Sequence, residues 1–471
     1  MSYGGTNWGN LAAPVVYTSY DYSAPLRETR QIRDKLYQIK LIGLFTRVSS
    51  ALLNTQMVGN GTGAPYTNDS SVRVWELRNI KQNAGFYTVL HASSSSQVST
   101  TFTLNVTTSK GQYLLPNINL AGRQAKIITT DYRFGSHTLL YSTAEVLTYG
   151  VFDEDVIVLY LDIGQVGQFT FKSKGASMKF TTYGAPTDFR AANGAYTYTQ
   201  GQGVTVVQFA NGPLFYLMDR VSAYFFHAPP STSNPHVLPS QHYFVHGPYL
   251  VRSAQIANGA INIVGDTNTT CTIEVYIGTS PEVDHITWNG VSLATTKRTY
   301  GAFVATINGP ENRTITLPTL TAWETADSLP EIDPAYDDSR WTICNKTTTL
   351  SPVKPLTLPV LYASDYDYAT GHKIYRGRFD GMNATFANIT AQNGLAAGFT
   401  VWINGHLAAS RPGNASLLVQ SAAFAIDQSI LVNDTNVMTV LVDYTGKYSS
   451  TIISPFLPSL CESHSTRAIR L

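Results

Sequence analysis

The sequence predicts a mainly all-β, multi-domain protein. Three observations carry that expectation. Short runs in which apolar and polar residues alternate recur through the chain after Val48, the period-two signature of half-buried strands. Clusters rich in Gly, Pro and Asn, such as GNGTGAPYTND and NPHVLPSQ, separate those runs, as turn chemistry requires. Only one stretch carries a convincing helical pattern, so sandwiches or barrels are expected rather than βαβ units.

In chain order, residues 29–44 (TRQIRDKLYQIKLIGL) supply that helix, with Ile32, Leu36, Ile39 and Leu41/Ile42 as its apolar stripe and Thr29 as its N-cap. TFTLNVT then places Phe102, Leu104 and Val106 on one face of a strand, and QFTFKS does the same with Phe169 and Phe171. TCTIEVYIG sets Cys271, Ile273, Val275 and Ile277 against polar residues, and VMTVLVDY reads as a buried strand. GFTVWINGHLAAS is a strand, an Asn-Gly turn and a second strand, and TWNGVSL at 287–293 is a similar hairpin. Boundaries are expected near residues 50, 244 and 320.

A chain of 471 residues has room for about three domains on the usual length prior. Charged residues are 13%, about half the ordinary share of roughly 25%. With a formal charge of +1 and no basic block, no nucleic-acid partner is expected. Purely apolar runs are short, as in Val156 to Leu161, whereas a membrane helix needs about 20 such residues; no membrane association is expected. The many hydroxyls, amides and aromatics suit secreted, sugar-handling β proteins, and equally any all-β composition. Three cysteines, Cys271, Cys344 and Cys461, are too few and too scattered for a disulfide framework or a zinc site. Asn-x-Ser/Thr acceptors fall at Asn60, Asn68, Asn105, Asn268, Asn312, Asn345, Asn383, Asn388, Asn414 and Asn433. Their spread favours a secretory history, yet the N-terminus has neither the basic nor the apolar region of a signal peptide.

Several constellations have a bland reading that outweighs the functional one. His227, His236, His242 and His246 fit no compact ligand motif and are expected to be loop histidines. The acids of LPEIDPAYDDSRW (Glu331, Asp333, Asp337, Asp338) lack the spacing of a calcium loop. They are expected to form a structural turn above which Trp341 packs inward. Trp402 is expected in the core, with a sugar platform as the alternative. No metal and no cofactor is expected.

GGTNWGN followed by YTSYDYSAPLRE closely resembles the β-galactosidases of glycoside hydrolase family 35, particularly the large secreted fungal ones. KLYQIKLIGLFTRVSSALL, YSTAEVLTYGVFDEDVIVLYL, GPYLVRSA, DSLPEIDPAYDDSRW, LYASDYDYATGHKIYRGRF and GFTVWINGHLAAS extend the likeness from residue 3 to about 445. The resemblance implies an N-terminal remnant of a (β/α)8 barrel at 1–50, comprising its last strand, loop and helix. It further implies an antiparallel β domain at 51–244, a small β-sandwich at 245–320, an incomplete jelly roll at 321–445 and an aberrant tail at 446–471.

The resemblance also sets expectations for chemistry. The parent enzyme would release terminal β-galactose with retention, acting on β-galactoside oligo- or polysaccharides as a secreted monomer. Tyr22 matches the second tyrosine of the family's substrate loop and is the expected galactose contact. Both catalytic glutamates would lie ahead of residue 1, so no catalytic residue is expected in this chain. Of the early acids, Asp21 is expected to hydrogen-bond within the loop, Glu28 to sit at the helix N-terminus and Asp34 to be solvated. Relatives often carry His-Pro-Gly-Gly where this chain has AAPVV, and Ser23 stands where Gly or Asp is common, which puts the loop conformation in question. The expectation is a chain cut at both ends and inactive alone; a non-catalytic carbohydrate-binding protein derived from the enzyme is the alternative.

Overall fold

The computed structural model describes residues 6–7, 16–17, 23–172, 179–184, 188–234, 238–278, 282–311, 314–351, 354–368, 371–380, 384–392, 398–414, 419–442, 447–448 and 469–470. The chain divides into two compact units, residues 33–315 and residues 1–32 with 316–471.

In the first unit the helix α1 spans Asp34–Val48, five residues later than the sequence pattern suggests. Residues 26–32 are bent back instead. Arg30 N–H donates to the Arg27 carbonyl, Arg30 itself has φ +67°, and Leu26 bridges Ile32. Thr29 therefore caps nothing; the N-cap position is Arg33, and the acid of the first turn is Asp34 rather than Glu28. The buried stripe is Leu41, Leu44, Phe45 and Val48, one face at i, i+3, i+4 and i+7, whereas Ile39 and Ile42 are half exposed.

After α1 comes an open antiparallel sheet of eight strands. Its spatial order is Arg190–Ala192, Ala195–Thr199, Val166–Phe171, His137–Ser142, Ala125–Phe134, Gly85–His91, Val72–Asn79 and Thr55–Thr62. Its one face is covered by the hairpin Thr100–Thr108/Gly111–Leu120, where Phe102, Leu104 and Val106 point inward as the alternation predicts. The other face meets a second sheet, ordered Glu145–Val151, Asp155–Leu161, Leu214–Asp219, Val204–Phe209 and Phe180–Gly184. The layer between them is aromatic: Phe169 stacks on Phe215 at 4.5 Å, and Phe171, Tyr196 and Phe209 close around the pair.

Asp155–Leu161 and Leu214–Asp219 run parallel, in register from Val156↔Leu214 to Leu161↔Asp219. Every residue of both strands is buried. Ile157, Leu159, Phe215 and Leu217 face the aromatic layer. Val156, Val158, Tyr160, Tyr216 and Met218 face a separate core that also holds Leu41 and Leu44 of α1 and Phe244, Tyr276 and Tyr300 from later in the chain. Burial on both faces explains why this run reads as continuously apolar rather than alternating.

The short helix α2, Arg220–Tyr224, follows directly, N-capped by Asp219. A two-sheet sandwich then fills residues 226–307, with Val245, Ile261, Ile263, Ile273, Val275 and Trp288 in its core. The predicted hairpin turns at Asn289-Gly290, both with positive φ.

The second unit is built on a six-stranded sheet and a two-stranded one, Phe386–Gln392 with Val419–Ala425. The larger sheet runs Thr342–Ile343, Ile469–Arg470, Lys373–Asp380, Thr435–Val442, Phe399–Ile403 and His406–Arg411. Thr6–Asn7, Val16–Tyr17 and Lys447–Tyr448 form a short sheet of their own. Phe399, Val401 and Val440 bury one face of the larger sheet against the two-stranded one.

Trp402, Thr439 and Arg376 form one cross-strand row on the other face. Trp402 is half-buried there, not in the apolar core, because alternation along Phe399–Ile403 gives the core positions to its neighbours. Arg376 is fully buried; it donates to the carbonyls of Asp333 (3.0 Å) and Pro334 (3.3 Å) and lies over the rings of Tyr336 and Trp341. Asp338 sits 3.4 Å from Arg376 and 3.0 Å from Arg378. The acidic run is thus a strap tied down by arginines. Arg376→Ala takes the side-chain donor from the strap carbonyls of Asp333 and Pro334 and removes one of the two arginines beside Asp338. It is expected to cost the unit about 1–3 kcal/mol, read as lost hydrogen-exchange protection over Lys373–Asp380; unchanged protection there would contradict this account.

Candidate functional site

Tyr22, the expected galactose contact, lies outside the described residues, as does Asp21. Ser23, next to it, has φ +63°, the left-handed conformation a glycine takes without cost. Glu28 lies in the turn before α1, and Asp34 is exposed in its first turn.

Among the glycan acceptors, Asn60, Asn68, Asn268, Asn345, Asn388, Asn414 and Asn433 are exposed and Asn105 is half-buried; Asn312 and Asn383 lie outside the described residues. Cys271 and Cys344 are free thiols, and Cys461 lies outside the described residues.

Two of the four histidines are strand residues rather than loop residues. His227 ends the strand Phe226–His227 and His246 ends Phe244–His246, pairing antiparallel beside α2, and His242 is buried by Phe152 and Phe244. His236 lies outside the described residues. Lys40 of α1 donates to the Tyr224 carbonyl close by. Burial lowers Lys40 to about 7. Burial, with Lys40 as neighbour, lowers His227 to about 3, and burial lowers His246 to about 4 against the opposing pull of Ser222 and Asp219. His227 Nε2 is 3.1 Å from the Pro248 carbonyl, so the neutral ring carries its proton there.

The two histidines fold in their neutral forms. The unfolded chain, with histidines near 6.5, binds more protons than the native state below that pH, so acid favours unfolding. The Lys40 contribution changes between about 10.4 and 7 and is constant in the acid range. Stability of this unit is expected to fall as pH drops from about 6.5 to 4, by several kcal/mol for the two rings together. His246→Gln is expected to flatten the dependence of the urea midpoint on pH in that window; an unchanged slope would count against the assignment.

At the opposite end of the parallel strand pair, the turn Phe152-Asp153-Glu154 opens into a groove with two recesses of about 500 and 380 Å³. Asp153, Glu154 and Gln208 form the ridge common to both. Glu154 Oε1 accepts from the Tyr276 hydroxyl at 2.9 Å, the Gln208 amide bonds to the same carboxyl, and burial raises its pKa. Beneath, Glu274 accepts from the Tyr300 hydroxyl at 3.1 Å and is likewise raised by burial. Gly278, with φ +79°, lets the turn approach: a Cβ there would lie 3.0 Å from Asp153 Oδ2.

The groove also holds Ser136, His137 and Asp155, the residue types of a nucleophilic triad, in the wrong arrangement for one. Ser136 donates to Asp155 at 2.6 Å, and His137 meets the same oxygen at 2.7 Å through Nδ1, the ring nitrogen that also lies 3.2 Å from the serine hydroxyl. Asp155 also accepts the Ser136 N–H at 2.7 Å. The carboxylate therefore ties the turn at Gly135, and no base stands ready to take the serine proton. Nor does any sheet among the described residues close into a parallel eight-stranded barrel. Sequence reading missed this groove; its signal was the acid triplet of VFDED between two apolar runs.

Comparison with known proteins supplies what geometry does not. Four family profiles match in succession: "Glycosyl hydrolases family 35" at residues 1–45, "Beta-galactosidase, domain 2" at 52–226, "Beta-galactosidase, domain 3" at 227–304 and "Beta-galactosidase second all-beta domain" at 336–448. The chain is 55% identical over 450 residues to "Probable beta-galactosidase C" of Aspergillus fumigatus, covering 95% of this chain and 45% of that protein. Proteins of the same name from Aspergillus niger (54% over 452 residues, 95% and 45%) and Sclerotinia sclerotiorum (53% over 453 residues, 95% and 46%) are similar. The chain spans about half the length of the curated relatives it matches.

Proposed function

The chain belongs to the β-galactosidases of glycoside hydrolase family 35, and from that membership we propose that it is part of an enzyme releasing terminal β-galactose from β-galactosides with retention. The observation that carries the reading is the 55% identity sustained over 95% of the chain. No helix among the described residues is long and apolar enough to cross a membrane, and the exposed acceptor asparagines favour a secreted glycoprotein.

Retaining hydrolysis needs a nucleophile and an acid/base about 5–5.5 Å apart across the sugar. The family resemblance assigns both to glutamates on barrel strands ahead of the loop that carries Tyr22. Glu154 and Glu274, half-buried carboxyls each held by a tyrosine hydroxyl, are not assigned that role. Residues 1–471 alone are accordingly expected to be inactive. The Tyr22 phenol would contact the galactose, and the β domains would support the barrel.

Two measurements test this. Purified 1–471 is expected to give no hydrolysis of a chromogenic β-galactoside, and the same residues joined behind the barrel of a relative are expected to be active. In that longer enzyme Tyr22→Phe is expected to lower kcat/KM by at least about tenfold, the scale of one lost charge-assisted contact. Turnover by 1–471, or an inert longer enzyme, would refute the reading. A second reading, a non-catalytic galactan-binding protein, draws on Trp402 standing outside the apolar core. Loss of glycan-array binding on Trp402→Ala would favour it.

A further inference from the structure

We propose that the groove around the turn 153–155 is a binding site for a neutral, polyhydroxylated ligand, a galactosyl oligosaccharide. The inference rests on the galactosidase reading for the identity of the sugar, and on the groove itself for the existence of the site.

Location is the first argument. The groove's walls come from two successive β domains: Ser136, Lys179 and Gln208 from the first, Tyr276, Lys297 and Arg298 from the second. Ligand sites favour such junctions, and the recess volumes lie within the usual range of about 300–1,000 Å³. The junction is also rigid, because Tyr276 and Tyr300 are anchored in the core built on Tyr216 and Leu41. A pre-formed recess spares a ligand the cost of ordering the protein.

Charge sets the ligand class. Asp153, Glu154 and Asp155 line the first recess with Lys179, and Asp153 and Glu154 line the second with Lys297 and Arg298, so each recess mixes both signs of charge. A phosphate or sulfate would meet the acids, and a metal ion would meet the bases. No group of three or more potential ligands capable of holding a metal is present among the described residues. Closely interspersed donors and acceptors instead match hydroxyls, each of which donates one hydrogen bond and accepts others. Glu154 is the central contact: Tyr276 and Gln208 fix its carboxyl, so it meets a hydroxyl already oriented. Lys297, Arg298 and Thr299 are exposed on the rim, placed to follow a chain longer than one sugar.

The test is isothermal titration of residues 1–471 with β-1,4-galactotetraose. Binding with a Kd of about 1 mM is expected. Glu154→Gln, which keeps size and the tyrosine contact, and Arg298→Ala, at an exposed position, are each expected to weaken it at least about fivefold, one hydrogen bond's worth. Tyr22→Phe is expected to leave it unchanged. If neither groove variant matters, or if Tyr22→Phe alone abolishes binding, galactosides are held elsewhere and the groove assignment falls while the family reading stands. Absence of heat up to about 10 mM sugar also overturns the groove, whereas failure of the family reading shows separately as an inert longer enzyme. Binding of trigalacturonate in place of the neutral tetrasaccharide would show the charge argument to be wrong.

Discussion

The constraint on which residues 33–315 depend is the burial of two parallel strands on both faces. Asp155–Leu161 and Leu214–Asp219 are a wall shared by two cores. Such a wall must carry large apolar side chains at every position, must satisfy its backbone groups in the sheet, and must hide its ends. The strands meet those demands with alternate residues: Ile157, Leu159, Phe215 and Leu217 to one side, Val156, Val158, Tyr216 and Met218 to the other. Removing any one of them leaves a cavity in one of two packed layers, at a cost of about 2–5 kcal/mol.

The ends of the wall are where polar chemistry collects. Two buried aspartates close it. Asp155 satisfies the Ser136 amide and hydroxyl together with His137 at one end. Asp219 accepts from Gly203, Val221 and Ser222 amides at the other and starts α2. Beyond Asp155 the chain turns outward and leaves a groove; beyond Asp219 it leads to Lys40 and the neutral imidazoles of His227 and His246. One end is open to ligands and the other is a buried basic cluster sensitive to acid, and both follow from the need to terminate strands that have no solvent face.

Much of this was legible in the sequence, and the failures have physical reasons. Strands with one buried face announced themselves, since Phe102, Leu104 and Val106, or Ile273, Val275 and Ile277, alternate with polar neighbours and are buried as expected. The Asn-Gly turns at 289–290 and 404–405 were readable because both residues adopt positive φ. The helix start was not, because a left-handed Arg30 breaks a periodic pattern that continues through it. Ile39 and Ile42 looked like core, whereas contacts with the later domains select the face bearing Leu41 and Leu44. Trp402, His227 and His246 were misplaced for a common reason: residue type gives the average burial of a side chain, but pairing partners many residues away decide which face it occupies. The buried Arg376 carries no sequence signal of its own, since its acceptors are strap carbonyls and rings contributed by a segment some 40 residues earlier.

The seam between the stretches matched to domains 2 and 3 is welded, since Phe244, Tyr276 and Tyr300 insert among Tyr160, Tyr216 and Leu41. A protease, or a recombination event, finds no hinge there. Farther on, residues 314–328 run exposed without helix or strand and carry Ile315, Leu317, Leu320 and Trp323 largely uncovered. Inheritance and degradation of this protein should therefore treat 33–315 as a single heritable block, with the first cut falling after it.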